Sequence, residues 1–213
     1  MTFAVRDLGR CPYADALAIQ ESTHAAVLAG DAPPTLLLTE HPPVLTLGAD
    51  FHAEHLRWPE STYAERGIDL VRVHRGGDVT YHGPGQLVAY PIFPLAMVQR
   101  DVIAWLRGIE CVVIQTVAHF GLTARRFPPH TGVWIGDRKV CAIGIRIQRA
   151  ISMHGFALNC STDLTAFDSI VPCGIADFGV TSLSVAAERV ITVDDAKPVV
   201  IQAFESWIGG PSA

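Results

Sequence analysis

The chain has 213 residues, 49% of them hydrophobic and 17% charged, which is enough apolar material to bury a core without staples and too little charge for a disordered segment. A formal net charge of -5 argues against the broad basic surface of a nucleic-acid binder. No continuous apolar run reaches the ~18 residues of a membrane span and no charged flank with an apolar core opens the chain, so the expectation is a cytoplasmic protein with no membrane and no nucleic acid as partner.

In chain order, the first expected element is a helix over 15–28, where Leu17, Gln20, Glu21, His24 and Leu28 divide apolar from polar faces and Gly30 offers a stop. Strands are expected over 35–39 and 44–47, separated by the turn-forming His41-Pro42-Pro43. An alternating run over 70–74 should be a half-buried strand that delivers the stretch Arg75-Gly76-Gly77-Asp78-Val79-Thr80-Tyr81-His82-Gly83-Pro84-Gly85-Gln86, and 87–92 should be the next strand. A long helix follows over 102–120, capped by Asp101 and closed by Gly121. Residues 132–135 and 139–147 read as a hairpin about Gly136-Asp137, 152–159 as a further strand, and 195–208 as a last helix ending at Gly209-Gly210. Hairpins between a few long helices predict an α+β fold, a mixed, mostly antiparallel sheet flanked by helices, in a single domain over 1–213.

The glycine-rich stretch is the densest chemical signal. Its glycines allow a substrate to approach the backbone, and Arg75, Thr80, Tyr81, His82 and Gln86 supply donors and acceptors. Neither the Gly-Lys-Ser/Thr ending of a phosphate loop nor G-x-G-x-x-G is present. Five cysteines, Cys11, Cys111, Cys141, Cys160 and Cys173, lack C-x-x-C spacing and read as free thiols in a reducing compartment. Cys173 stands between Pro172 and Gly174 in a short apolar loop, the setting of a candidate nucleophile as well as of a buried small hydrophobe. Lys139 follows the Gly136-Asp137 turn, where a lysine is ordinarily a solvated surface group; within ~4–6 Å of Cys173 its ammonium would favour the thiolate. His52 and His55 are spaced i, i+3 without a convincing third ligand, and no G-x-S-x-G occurs, so neither a metal site nor a serine hydrolase is expected. Arg125-Arg126, Arg138-Lys139, Arg146 and Arg149 lie close enough in sequence to form the local basic patch that an acidic carrier protein would require, although such a charge run ordinarily reads as a solvated surface.

Three segments together, Arg75 to Gln86, Lys139-Val140-Cys141-Ala142-Ile143-Gly144, and His154-Gly155-Phe156-Ala157-Leu158-Asn159 through Asp163-Leu164, Phe167 and Ile170-Val171-Pro172-Cys173-Gly174-Ile175, resemble the octanoyltransferases of lipoate biosynthesis. The resemblance implies a fold similar to the biotin and lipoate protein ligases. It also implies transfer of octanoate from octanoyl acyl carrier protein to a specific lysine of lipoyl domains, those of the 2-oxoacid dehydrogenase complexes and the glycine cleavage H protein, without a cofactor or metal. Carried onto this sequence, it makes Cys173 the acyl-thioester nucleophile and Lys139 the group that lowers its pKa. Substrate-binding positions become Arg75, Gly76, Gly77, Asp78, Val79, Thr80, Tyr81 and His82, then Ala142, Ile143 and Gly144, then Gly155, Phe156 and Ala157. Cys141 departs from the small residue expected there and adds a second thiol near the site. Amides of the glycine loops are expected to donate to the developing oxyanion. The competing reading is an ATP-dependent lipoate protein ligase, which shares the glycine loop and the lysine but does not need Cys173.

Overall fold

A computed structural model describes residues 2–98, 101–171 and 178–209. Ten strands form a seven-stranded sheet in the order β1-β2-β6-β10-β9-β8-β7 and a three-stranded sheet in the order β4-β3-β5. The large sheet holds β1 (Ala4–Arg10), β2 (Thr35–Glu40), β6 (Gln86–Ile92), β10 (Ile151–Asn159), β9 (Arg138–Gln148), β8 (His130–Ile135) and β7 (Arg125–Phe127). The small sheet holds β4 (Asp69–Arg72), β3 (Val44–Leu47) and β5 (Val79–His82). Among the described strands only the β1/β2 and β3/β4 pairs are parallel, so the expected mixed, mostly antiparallel α+β architecture is what forms.

The longer helices are α1 (Tyr13–Ala29), α3 (Val102–His119) and α5 (Val193–Gly209); α2 (Glu60–Glu65) and α4 (Leu183–Ala186) are short. Helix α1 begins two residues earlier than its pattern predicts, and Gly30 at φ 82° ends it as expected. Asp101 caps α3 by accepting from the amides of Ile103 and Ala104, as its position predicts. Helix α3 is long and apolar enough to cross a membrane by length and composition, but Trp105, Ile109, Val112, Val113 and Val117 are fully buried in the core it shares with α5 and the large sheet. Where α3 meets α5, Gly108 leaves the space that the Trp207 indole fills.

Three departures from the sequence reading have physical causes. Strand β1 lies at the sheet edge and is mostly solvent-exposed, so its sequence carries no apolar alternation to read. The stretch from Arg75 to Gln86 is not one loop between two strands, because β5 forms inside it and pairs antiparallel with β3. β9 and β10 are joined by Arg149 and Ala150, both at positive φ (50° and 61°), a primed hairpin turn made without the usual Asn-Gly.

Candidate active site

The two sheets enclose a cleft, and the glycine stretch crosses it. Arg75 is buried and reaches across to β3, where Nη2 donates to both the carbonyl and the hydroxyl oxygen of Thr46 at 2.8 Å, while Nη1 donates to the Gly76 carbonyl at 3.0 Å. The arginine thus fixes the loop from beneath. Gly77 takes φ 85°, and its amide donates to the Asp50 carboxylate at 3.1 Å; the Gly76 amide donates to the Ile145 carbonyl of β9 at 3.0 Å. Both amides are therefore committed within the protein, that of Gly77 to Asp50 and that of Gly76 to β9, so neither is the amide expected to donate to an oxyanion.

The inner part of the cleft is lined by Tyr13, Arg75, Gly76, Gly77, Thr80, His82, Val88, Tyr90, Ala142, Ile143, Gly144, His154, Gly155, Phe156 and Ala157. Eleven of the fourteen substrate-binding positions expected from sequence are in that set. Asp78 instead lines the outer part, and Val79 and Tyr81 line neither. The period-2 alternation of β5 turns Thr80 and His82 into the cleft and sends Val79 and Tyr81 to the other face, into a cluster with Leu45, Leu47, Tyr63, Phe167 and Ile170. These two residues support the wall and do not line it.

Gly144 shows how closely this wall is fitted: a Cβ there would lie 2.9 Å from Arg75 Cδ and 3.0 Å from the Gly76 carbonyl oxygen. Gly144→Ala should displace the arginine and the loop together, with a destabilisation of about 1–3 kcal/mol and an activity loss larger than the stability loss explains. Thermal melts beside steady-state assays check this; an alanine variant with full activity would contradict it.

A directional hydrogen-bond chain sets the floor. Gln86 uses both amide protons, on the Tyr81 carbonyl at 3.2 Å and on Asn159 Oδ1 at 2.9 Å, so its Oε1 accepts from His82 Nδ1 at 2.8 Å. His82 Nε2 is then the acceptor for the Thr46 hydroxyl at 3.4 Å, and Asn159 Nδ2 donates to the Thr181 carbonyl at 2.9 Å. His41 is set likewise: Nδ1 donates to the Cys11 carbonyl at 2.6 Å, leaving Nε2 to accept from the Tyr90 hydroxyl at 2.7 Å.

Burial, followed by the neighbouring His41, depresses the His82 pKa to about 3, and burial followed by Arg75 depresses that of His154 to about 4. Both values lie below the ~6.5 of an unfolded histidine, so the folded protein binds fewer protons; their contribution is whole above pH ~6.5 and is lost as pH falls toward the folded values. At pH 5 each histidine costs roughly 2 kcal/mol, and the two together should lower Tm on the order of 10 °C relative to pH 7. Calorimetry at the two pH values checks this, and a flat profile would contradict it.

The outer part of the cleft is lined by Asp50, His52, His55, Gly76, Gly77, Asp78, Leu106, Pro129, His130, Thr131, Lys139, Ile143, Gly144 and Ile145. Lys139 is not a surface lysine: it is 7% exposed, and its Nζ stands 5.0 Å from the centre of the Trp134 ring. Of the residues of the candidate basic patch, Lys139 lies in the cleft and Arg126 is paired with the buried Glu110 at 2.7 Å.

Cys173 lies outside the described residues, but both flanks of its segment are placed. On the entry side the Val171 amide donates to the His55 carbonyl at 2.8 Å, and the Arg57 amide to the Ser169 carbonyl at 3.1 Å. On the exit side the Lys139 amide donates to the Gly179 carbonyl at 3.0 Å, and the Thr181 amide to the Lys139 carbonyl at 2.9 Å. Phe178 packs on Phe127, His130 and Trp134 with ring centres 5.0–5.8 Å apart. Cys141 is no second reactive thiol: it stands on β9 with its side chain buried in the core, and desolvation raises its pKa well above the ordinary value.

Sequence reasoning missed Tyr13, Val88, Tyr90 and His154 as cleft residues. Val88 and Tyr90 lie in a strand read correctly, but which face of it meets a cleft is decided by the small sheet. His52 and His55 were weighed only as a metal pair, whereas the His55 ring hydrogen-bonds the Asp78 carboxylate.

A profile of the family described as the lipoyl protein ligase A/B catalytic domain matches residues 12–205. The chain is 49% identical over 185 residues to the octanoyltransferase of Solibacter usitatus, covering 87% of this chain and 84% of that protein. It is 46% identical over 199 residues to the mitochondrial octanoyl-[acyl-carrier-protein]:protein N-octanoyltransferase of Danio rerio, covering 92% and 88%. Among solved structures, a lipoate protein ligase from T. acidophilum with bound lipoic acid superposes with a TM-score of 0.79 at 18% identity, over 98% of this chain and 87% of that one. A biotin acetyl coenzyme A carboxylase synthetase from Helicobacter pylori gives 0.54 at 9% identity over 98% and 74%; at these identities the likeness is one of fold.

Proposed function

The chain belongs to the octanoyltransferases of the lipoyl protein ligase A/B catalytic family, and from that premise we propose that it moves octanoate from octanoyl acyl carrier protein to a lysine of lipoyl domains through a thioester on Cys173. The observation that carries this reading is the anchoring of both flanks of the Cys173 segment to one cleft, the entry flank at His55 and the exit flank at Lys139. The inner cleft offers Val88, Ala142, Ile143, Phe156 and Ala157 to an apolar tail. Each buried CH₂ is worth ~0.8 kcal/mol, so an eight-carbon chain gains roughly 5 kcal/mol.

The chemistry is two exchanges at one sulfur. The Cys173 thiolate attacks the carrier thioester and expels the carrier thiolate, which takes a proton from the Lys139 ammonium. The acceptor lysine then attacks the enzyme thioester, an amide forms, and the Cys173 thiolate leaves. Exchange of one thioester for another is close to neutral and amide formation is downhill, so no nucleotide is needed. The whole chain acts as one catalytic domain, with the glycine cleavage H protein and the lipoyl domains of the 2-oxoacid dehydrogenase complexes as acceptors.

Incubation with octanoyl carrier protein and no nucleotide, followed by peptide mass spectrometry, should find one octanoyl mass on Cys173 that disappears when a lipoyl domain is added. Strict dependence on ATP would overturn the transferase reading in favour of a ligase.

A further inference from the structure

The proposed reaction has a proton to place that Lys139 cannot hold. A carrier thioester and an alkylammonium become a carrier thiol and an amide, with release of one proton. After the first exchange Lys139 is a neutral amine, because its proton left on the carrier thiol. The acceptor lysine arrives as an ammonium and loses two protons on the way to an amide, one to free its lone pair and one from the tetrahedral adduct. Lys139 accepts the first, a proton exchange between two primary amines. That restores the ammonium beside the departing thiolate, and the second proton needs another base.

We propose that this base is His55, oriented by Asp78, an assignment that rests on the acyl-enzyme reading above. Both residues line the outer cleft with Lys139. The buried Asp78 carboxylate takes the His55 Nδ1–H, so the free nitrogen of the neutral ring is Nε2. Asp78 is itself held by the His52 amide at 3.3 Å. His55 also carries the carbonyl that accepts from Val171, two residues before Cys173, so its backbone is tied to the chain that bears the proposed thioester. The adduct nitrogen is far more acidic than a free ammonium, which puts its proton within reach of an imidazole. In the balanced step the N–H bond of the adduct breaks, its electron pair closes the amide, the C–S bond breaks to give the Cys173 thiolate, and the proton passes to Nε2 and then to solvent.

The test separates the half-reactions by single-turnover measurement. Parent and His55→Gln protein are loaded with octanoyl carrier protein, then chased with a lipoyl domain or with hydroxylamine. Hydroxylamine is neutral at pH 7 and has one proton to lose, which Lys139 takes. Expected for His55→Gln are loading within about twofold of the parent, transfer to the lipoyl domain slowed about 10²-fold, and an undiminished hydroxylamine chase. Asp78→Asn keeps a hydrogen-bond acceptor without the charge and should slow lipoyl transfer about tenfold while leaving the hydroxylamine chase unchanged. Equal loss in both chases, or no loss in the lipoyl chase for either variant, would overturn the assignment. Absence of an acyl adduct on the parent protein would take down the acyl-enzyme reading, and this one with it.

Discussion

Cys173→Ala is expected to lose the octanoyl adduct and to lower transfer to a lipoyl domain by at least about 10³-fold, the largest effect of any single change in this chain. The other sulfurs offer no substitute. Cys141 and Cys160 are fully buried, and desolvation pushes the Cys160 thiol up to about 12 and that of Cys141 well above its ordinary range. Cys11 is buried beside α1, where desolvation, followed by Asp15, raises its pKa as well. Cys111 is exposed but sits on α3, outside both parts of the cleft, accepting from Arg126 Nη2 at 2.9 Å. Iodoacetamide at neutral pH should therefore label Cys173 fastest and Cys111 more slowly, and Cys173→Ala should leave the second alone. Cys173→Ser gives a sharper variant, because a hydroxyl of similar size retains the shape of the site while lacking an accessible anion. Full transfer by either variant would show that the acyl group never rests on this sulfur.

The parts of the fold legible in the sequence are those whose signal is local. The apolar runs of β2, β3 and β6 and the capping aspartate of α3 are encoded within a few residues of where they act, and their boundaries fall within one or two residues of expectation. Strand β1 was not legible because an exposed edge strand needs no apolar face, and β5 was not because its partner β3 is remote in sequence. The same rule divides the site. The glycine stretch and the Ala142-Ile143-Gly144 and Gly155-Phe156-Ala157 segments announce themselves by composition, and they meet because Gly144 and Gly155 are register partners in the β9/β10 ladder. The resemblance marks Arg75 to His82 as one binding segment, and only the alternation of β5, set by its pairing with β3, separates Thr80 and His82 in the cleft from Val79 and Tyr81 behind it. Tyr13 enters the cleft only through tertiary packing, from the first turn of a helix that stacks it on His82 with ring planes 9° apart. Nothing adjacent in sequence reports that.

Lys139→Ala should raise the Cys173 thiol pKa by about one to three units and slow acylation at pH 7 about 10- to 100-fold, with recovery as the pH is raised toward 9. The physical basis is the place of the ammonium: a lysine nearly sealed from solvent, over the Trp134 face and hydrogen-bonded through its backbone to the segment that leaves Cys173, acts through a lower dielectric than a surface charge does. Two functions are assigned to this one amine, and Lys139→Arg separates them. A guanidinium keeps the positive charge but neither gives nor takes a proton near neutral pH. Iodoacetamide labelling of Lys139→Arg at pH 7 should therefore stay within a few-fold of the parent while turnover falls about 10²-fold, whereas Lys139→Ala should lose both. A pH profile of labelling that is identical in parent and alanine variant would remove the electrostatic role. An arginine variant with parental turnover would remove the proton transfer from Lys139, and both protons of the acceptor ammonium would then have to leave through another base.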